Sequence, residues 1–127
     1  MRANIKKYED FKLLISGSNR KILNSLIIYH QDSNAFADNL VKISTHRSQQ
    51  YSRQGFLFGV MVSKKLGKAN KRNYFKRLVR ACLKLNEKNL PQGKALIIMP
   101  NVKNSDKITH STMNDDIKYF CKFLLKS

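Results

Sequence analysis

The chain has 127 residues, of which 25 are Lys or Arg and 8 are Asp or Glu, so its formal net charge is +17. This length predicts one domain, and a hydrophobic content of 42% is enough for a core, which excludes a fully disordered chain. No apolar run approaches the roughly 18 residues of a membrane span, and the first residues lack the apolar stretch of a secretory signal. The excess of positive charge indicates a polyanionic partner, with nucleic acid favoured over an anionic membrane surface.

The first half of the chain predicts one helix and one strand. Residues 8–16 combine early acids with apolar residues at helical spacing, and Gly17 ends this predicted helix. Residues 22–30 are rich in Ile and Leu and predict a strand. Residues 32–54 are polar and predict a long loop or an insertion within a single domain that spans 1–127. This segment also has three apolar residues at helical spacing: Phe36, Leu40 and Ile43.

The second half predicts two further strands and two further helices. Pro91 and Gly93 mark a linker before the last strand, and Pro100 stops that strand. The predicted elements are a strand at 56–63, a basic turn at 64–70, a helix at 69–85, a linker at 86–93, a strand at 95–99, a loop at 101–112 and a helix at 113–126. Helices packed on a small sheet define an α+β fold.

The charge is concentrated on one helix and the turn before it. No acid occurs between Asn39 and Asn86, and nine basic residues fall between Lys64 and Lys84. On the predicted helix, Phe75, Leu78, Val79 and Cys82 share one side, whereas Arg72, Lys76, Arg80 and Lys84 recur at i, i+4 on another. A solvated cationic face is the simpler interpretation. The lack of any compensating acid instead favours phosphate contacts, which would relieve the repulsion between these like charges.

The run GVMVSKKLGKANKRNYFKRLVR resembles the signature of the bacterial ribonuclease P protein component: a strand ending in SKK, a glycine turn and a basic helix with an RNR motif. The segments EDFKLLISG and ALIIMP are similar to the family's first helix and last strand. Three features depart from the family, namely Tyr74 at the second Arg of the motif, Ile15 at a usual aromatic and the long 32–54 segment. The residues that match the signature are Ser63, Lys64, Lys65, Gly67, Arg72, Asn73, Lys76, Arg77 and Arg80.

The resemblance implies a fold and a function. The expected fold is α-β-β-β-α-β-α with a mixed sheet of about four strands, similar to domain 2 of ribosomal protein S5. The expected function is that of an RNA-binding subunit that assists a catalytic RNA in removing the 5′ leader of precursor tRNA. Catalysis and most of the required Mg²⁺ would belong to the RNA, with no metal bound tightly by the protein alone. We expect a cytoplasmic protein without a membrane contact or an obligate protein partner.

The resemblance also assigns two sets of site residues. A leader cleft would be lined by Phe11, Ile15, Tyr29 and Met61, whose aromatic members could stack on bases. These side chains could equally belong to the core. The expected RNA-binding residues are Lys64, Lys65, Lys68, Lys71, Arg72, Asn73, Lys76, Arg77 and Arg80.

No catalytic centre is predicted in the chain itself. The three histidines lack metal-ligand spacing, and Cys82 and Cys121 lie on apolar stripes. The adjacent pairs Glu9–Asp10 and Asp115–Asp116 point to different faces of their helices. Gly67-Lys68 lacks the Ser or Thr and the upstream Gly of a phosphate loop.

Three other classes of protein share some of these features. A structural ribosomal protein would share the size and charge, but not the order of SKK, turn and RNR-like helix together with an aromatic cleft. A helix-turn-helix DNA-binding protein would need a positioning helix where FLFGVMVS predicts a strand. A membrane-surface helix would place aromatic residues opposite its basic face, where this chain has a plausible core stripe.

Overall fold

The computed structural model describes residues 2–4, 8–41 and 56–125, with only the backbone described at 2–4, 8–11, 39–41 and 125. Short 3-10 turns occupy Lys64–Leu66, Glu87–Asn89 and Val102–Lys107. In chain order the strands and helices are β1 (Arg2–Asn4), α1 (Tyr8–Ser16), β2 (Asn19–Ile22), β3 (Leu26–Asp32), α2 (Ser33–Val41), β4 (Phe56–Val60), α3 (Ala69–Leu85), β5 (Lys94–Pro100) and α4 (His110–Leu125).

The five strands form one mixed sheet in the order β1-β4-β5-β3-β2. Strand β1 runs parallel to β4, with Arg2 opposite Phe56 and Asn4 opposite Phe58. Strands β2 and β3 are neighbours joined by only three residues, and parallel strands cannot be joined by so short a link, so this pair is an antiparallel hairpin.

The chain divides into two compact units. The first contains the described residues of 1–21, 28–59 and 92–97, and the second those of 22–27, 60–91 and 98–127. In the first unit α1 packs beside α2, and the buried side chains include Leu14 and Phe36. The segment after β3 is mostly polar, but it forms a helix that buries Phe36, which is inaccessible to solvent. Burial of an apolar side chain on one face stabilises such a helix.

In the second unit α3 packs against α4 through apolar side chains at helical spacing. The buried side chains of α3 are Phe75, Leu78, Val79, Cys82 and Leu83, and those of α4 include Met113, Ile117, Phe120 and Cys121. A buried carboxylate, Asp116, accepts hydrogen bonds from the backbone N–H (2.7 Å) and the hydroxyl (2.5 Å) of Ser25. This contact attaches the β2–β3 turn to α4.

The α+β class is confirmed, and the expected α-β-β-β-α-β-α order is present with two added elements, β1 before it and α2 between β3 and β4. The bounds of α1 and α3 coincide with the predicted 8–16 and 69–85. The sheet gains a fifth strand, β1. The single strand predicted at 22–30 is wrong, because the backbone turns at Leu23–Ser25, where the Leu23 N–H donates to the Leu26 carbonyl.

Three other boundaries differ from the prediction. The loop or insertion predicted at 32–54 begins with α2, and its residues 42–54 lie outside the described part of the chain. The strand predicted at 56–63 ends at Val60, and α4 begins three residues before the predicted 113. Thr109 explains that earlier start, because its hydroxyl accepts a hydrogen bond from the Thr112 N–H in the first turn of the helix.

Candidate nucleic-acid interface

A glycine turn sets the direction in which α3 begins. Gly67 has φ +138°, a conformation that L side chains rarely adopt, and its amide closes the preceding 3-10 turn on the Lys64 carbonyl. A Cβ atom at position 67 would lie 3.0 Å from Cδ of Lys71. Glycine therefore allows both the turn and the close approach of the Lys71 side chain.

The buried stripe of α3 determines which residues face outward. With Phe75 and Val79 buried, a rotation of about 100° per residue places Asn73, Lys76, Arg77 and Arg80 within one arc of about 100° on another side. On the helical wheel Arg72 lies between the buried residues Val79 and Leu83, and it is half-buried. The predicted apolar side of α3 is confirmed, and Arg72 borders it instead of lying on the opposite, cationic side.

We call the predicted RNA-binding set the α3 basic surface. All nine residues lie in the second unit, on the 3-10 turn, at the N-cap of α3 or on α3 itself. Arg72 and Lys76 are half-buried and the other seven are exposed. Its members are Lys64, Lys65, Lys68, Lys71, Arg72, Asn73, Lys76, Arg77 and Arg80.

None of the eight cationic members forms an ion pair within the part of the chain that the structure describes. The ion pair seen among the described residues joins Lys94 to Asp32 at 2.6 Å, in the first unit. The Nε atom of Arg72 is buried and has no hydrogen-bond partner. The exposed cationic side chains of this surface therefore have no ion-pair partner among the described residues, which suits contact with an external anion, whereas Arg72 Nε itself is shielded from solvent.

A second feature of α3 involves Tyr74, the residue that replaces arginine in the RNR-like motif. Tyr74 is 49% exposed, and Cζ of Arg77 lies 5.9 Å from the centroid of its ring, a cation–π contact. Both residues line a shallow, open region that we call the Tyr74 surface, formed by Lys68, Asn70, Lys71, Tyr74 and Arg77. From the sequence alone, Tyr74 is a departure from the motif whose side chain can stack or hydrogen-bond. The i, i+3 spacing of Tyr74 and Arg77 was the signal for this contact.

The predicted leader-cleft residues lie in both units. Ile15 on α1 and Tyr29 on β3 belong to the first unit and are half-buried. Phe11 lies on α1, with its side chain outside the described part. Met61 belongs to the second unit, just after β4, where its N–H donates to the Ile98 carbonyl.

One hydrogen bond shows how α1 meets the sheet in the first unit. The side-chain amide of Gln31 on β3 donates to the Leu14 carbonyl of α1 at 2.8 Å. Residues two apart on a strand face the same side, so Tyr29 lies on the sheet face that α1 approaches at Gln31. Tyr29 is half-buried rather than part of a closed core, and its partly open ring is compatible with the predicted stacking role.

The residues rejected as catalytic are placed as follows. Cys82 and Cys121 are buried free thiols, and burial raises the pKa of both, which disfavours the nucleophilic thiolate. His30 is buried, and burial together with the Lys94 ammonium lowers its pKa. His46 lies outside the described residues, and His110 is exposed at the start of α4. Over residues 2–4, 8–41 and 56–125, no three His, Cys, Asp or Glu side chains are grouped so that they could hold a metal ion.

The fold and this surface define a small α+β protein that presents a cationic, partly aromatic helix. The family model for ribonuclease P matches residues 1–124. The chain is 51% identical over 49 residues to the ribonuclease P protein component of Chlamydia abortus, covering 39% of this chain and 34% of that protein. It is 31% identical over 71 residues to the ribonuclease P protein component of Finegoldia magna, covering 56% of this chain and 62% of that protein. The chain thus spans about a third of the length of the chlamydial relative that it matches.

Solved structures share the fold over nearly the whole chain. The RNase P protein of Thermotoga maritima matches with a TM-score of 0.72 at 19% identity, covering 95% of this chain and 96% of that one. The Staphylococcus aureus RNase P protein matches with a TM-score of 0.69 at 21% identity, covering 95% of this chain and 94% of that one. The chain belongs to the ribonuclease P protein family. No helix in the described part of the chain is both long and apolar enough to cross a membrane.

Proposed function

We propose that this chain is the RNA-binding subunit of a ribonuclease P and assists a catalytic RNA in removing the 5′ leader from precursor tRNA. The α3 basic surface is the observation that carries this proposal. It presents eight cationic side chains on one helix and its entry turn, unpaired within the described residues, in a chain whose family match covers residues 1–124. The same match disfavours the alternative of a structural ribosomal protein.

Contact with RNA would use the unsatisfied charge of α3. Arg72, Lys76 and Arg80 repeat every four residues, which corresponds to about 6 Å along the helix axis. Like charges at this spacing repel one another in the free protein, and phosphates would relieve the repulsion while releasing bound counterions. Arginine adds planar pairs of donors that can bind a phosphate bidentately.

In the first unit, the leader of precursor tRNA would bind at Ile15 and Tyr29, together with Phe11. The position of Tyr29 on the sheet face that α1 approaches supports this assignment for the first unit. Stacking of bases on aromatic rings tolerates sequence differences, which suits a leader whose sequence varies between tRNAs.

Catalysis would be carried out by the RNA. Most of the required Mg²⁺ would be bound by that RNA, and none tightly by the protein alone. The protein would act electrostatically, because a net charge of +17 lowers the cost of bringing two polyanionic RNAs together and so lowers the Mg²⁺ concentration they require. We further propose that the protein works in the cytoplasm, without an obligate protein partner.

Reconstitution tests this proposal directly. The protein is mixed with transcribed ribonuclease P RNA at low Mg²⁺, and 5′ maturation of precursor tRNA is measured. We expect cleavage to require less Mg²⁺ with the protein than without it, and the protein alone to cleave nothing. Cleavage by the pure protein would refute the assignment of catalysis to the RNA, and no effect of the protein at any Mg²⁺ concentration would refute the assisting role.

A further inference from the structure

We propose that the Tyr74 surface binds one unpaired nucleotide of the partner RNA, with the base stacked on the ring of Tyr74. This inference rests on the proposed function and assigns a role to a residue that departs from the RNR motif. Binding of a stacked nucleotide requires an accessible aromatic face, adjacent cations and a polar group that can reach the edge of the base, and the described residues supply all three.

The accessible face is provided by the ring of Tyr74 itself. A tyrosine that is 49% exposed on a helix whose other side is fully packed has no role in the core. The guanidinium of Arg77 lies over the ring at 5.9 Å, which limits the rotation of the side chain. A base could stack on the opposite face of the ring, so that the phenol ring would lie between the guanidinium and the base.

The cations and the polar group lie on the same shallow surface as the Tyr74 ring. Lys68 and Lys71 line it from the start of α3, where their ammonium groups could reach the phosphates on either side of the stacked base. Asn70 also lines it, and its side-chain oxygen accepts a hydrogen bond from the Lys71 N–H at 2.9 Å. That bond orients the Asn70 amide and leaves its NH₂ group available to donate to a base edge.

The geometry selects an unpaired nucleotide rather than a duplex. A base inside a helix has both faces covered by its neighbours, so only a bulged, looped or terminal base can offer a face to Tyr74. Stacking makes no contact with phosphate and therefore contributes affinity with no salt dependence. This separates the contribution of Tyr74 from that of the surrounding lysines and arginines.

The first experiment measures binding of transcribed ribonuclease P RNA over a series of salt concentrations. We expect Tyr74→Leu to weaken binding by about 5- to 100-fold with an unchanged slope of log K against log[salt], and Tyr74→Phe to bind like the wild type. Wild-type affinity in Tyr74→Leu would overturn the stacking assignment. A loss of equal size in Tyr74→Phe would also overturn it, because it would assign the effect to the hydroxyl.

The second experiment uses the absence of tryptophan from the chain. Tyr74→Trp introduces the only tryptophan of the chain, which can be excited separately from the remaining tyrosines, and Tyr119→Trp is a matched control at a tyrosine of similar exposure on α4. We expect an adenine-rich single-stranded RNA of about ten nucleotides, within the site size of one single-strand-binding module, to quench the Tyr74→Trp variant more than a blunt duplex of equal charge does. We also expect this RNA to quench the Tyr74→Trp variant more than the control variant. Equal quenching by the two RNAs, or in the two variants, would overturn the proposal.

The two proposals can fail separately. If the wild-type protein does not bind ribonuclease P RNA, the proposed function itself is refuted. If the wild type binds and Tyr74→Leu binds equally well, only the stacking role of Tyr74 is refuted.

Discussion

Replacing Arg72, Lys76 and Arg80 together by Ala tests the α3 basic surface most sharply. The three side chains occupy successive turns of α3, with Arg72 half-buried, and form no ion pair among the described residues. The slope of log K against log[salt] is negative, and each phosphate contact contributes about 0.7–0.9 to its magnitude. Losing three contacts should therefore reduce the magnitude of the slope by about 2–3. At about 0.15 M salt this corresponds to roughly 100-fold weaker binding of ribonuclease P RNA.

The assay is equilibrium binding at several salt concentrations, with a control of equal charge. The variant Lys103→Ala, Lys107→Ala, Lys118→Ala removes three positive charges from exposed positions outside α3. We expect this control to change the slope much less than the α3 variant. The reasoning is refuted if the α3 variant keeps the wild-type slope, or if the control lowers the slope equally.

Unfolding should not explain the weaker binding. The substitution removes three like-charge pairs at i, i+4, each of which destabilises a helix by about 0.2–0.5 kcal/mol, and alanine has the best helix propensity. These gains offset the packing lost when the half-buried side chains of Arg72 and Lys76 are shortened. The free energy of unfolding of the α3 variant, measured in urea, should therefore be close to that of the wild type.

Three further predictions concern other parts of the molecule. Tyr29→Leu in the reconstituted complex should weaken binding of precursor tRNA more than of mature tRNA, and equal losses would contradict the leader assignment. Asp116→Asn should lower the free energy of unfolding by about 1.5–3 kcal/mol in urea titrations, since Ser25 loses a buried, charged acceptor, while the salt slope of RNA binding stays unchanged. The pKa of His30 is lowered in the folded protein, so the unfolded state binds the proton more readily and stability should fall as the pH drops below about 6.5. Lys94→Met should raise the pKa of His30 in an NMR titration and reduce that fall in stability.

The sequence predicted α3 well because the relevant information is local. Buried and cationic positions such as Phe75 and Lys76 alternate with the helical period, and no acid interrupts the charged side. The same reasoning failed at 22–30, where a continuous apolar run contains a turn. That turn is held by Asp116, which lies 91 residues from Ser25 in the sequence. A local pattern contains no information about so distant a partner.

For the leader-cleft residues, the sequence and the tertiary structure each supplied part of the assignment. Their assignment came from a family resemblance, and the half-buried positions of Ile15 and Tyr29 agree with either a cleft or a core edge. The sheet face of Tyr29 became clear only from the hydrogen bond between Gln31 and Leu14, which joins β3 to α1.

By itself, the sequence determined the net charge, the acid-free segment and the two-sided character of α3, because composition and periodicity depend only on residues near one another in the chain. The tertiary structure alone decided the strand order and the attachment of the β2–β3 turn to α4. Both depend on contacts between segments that are distant in the sequence, which no local pattern records.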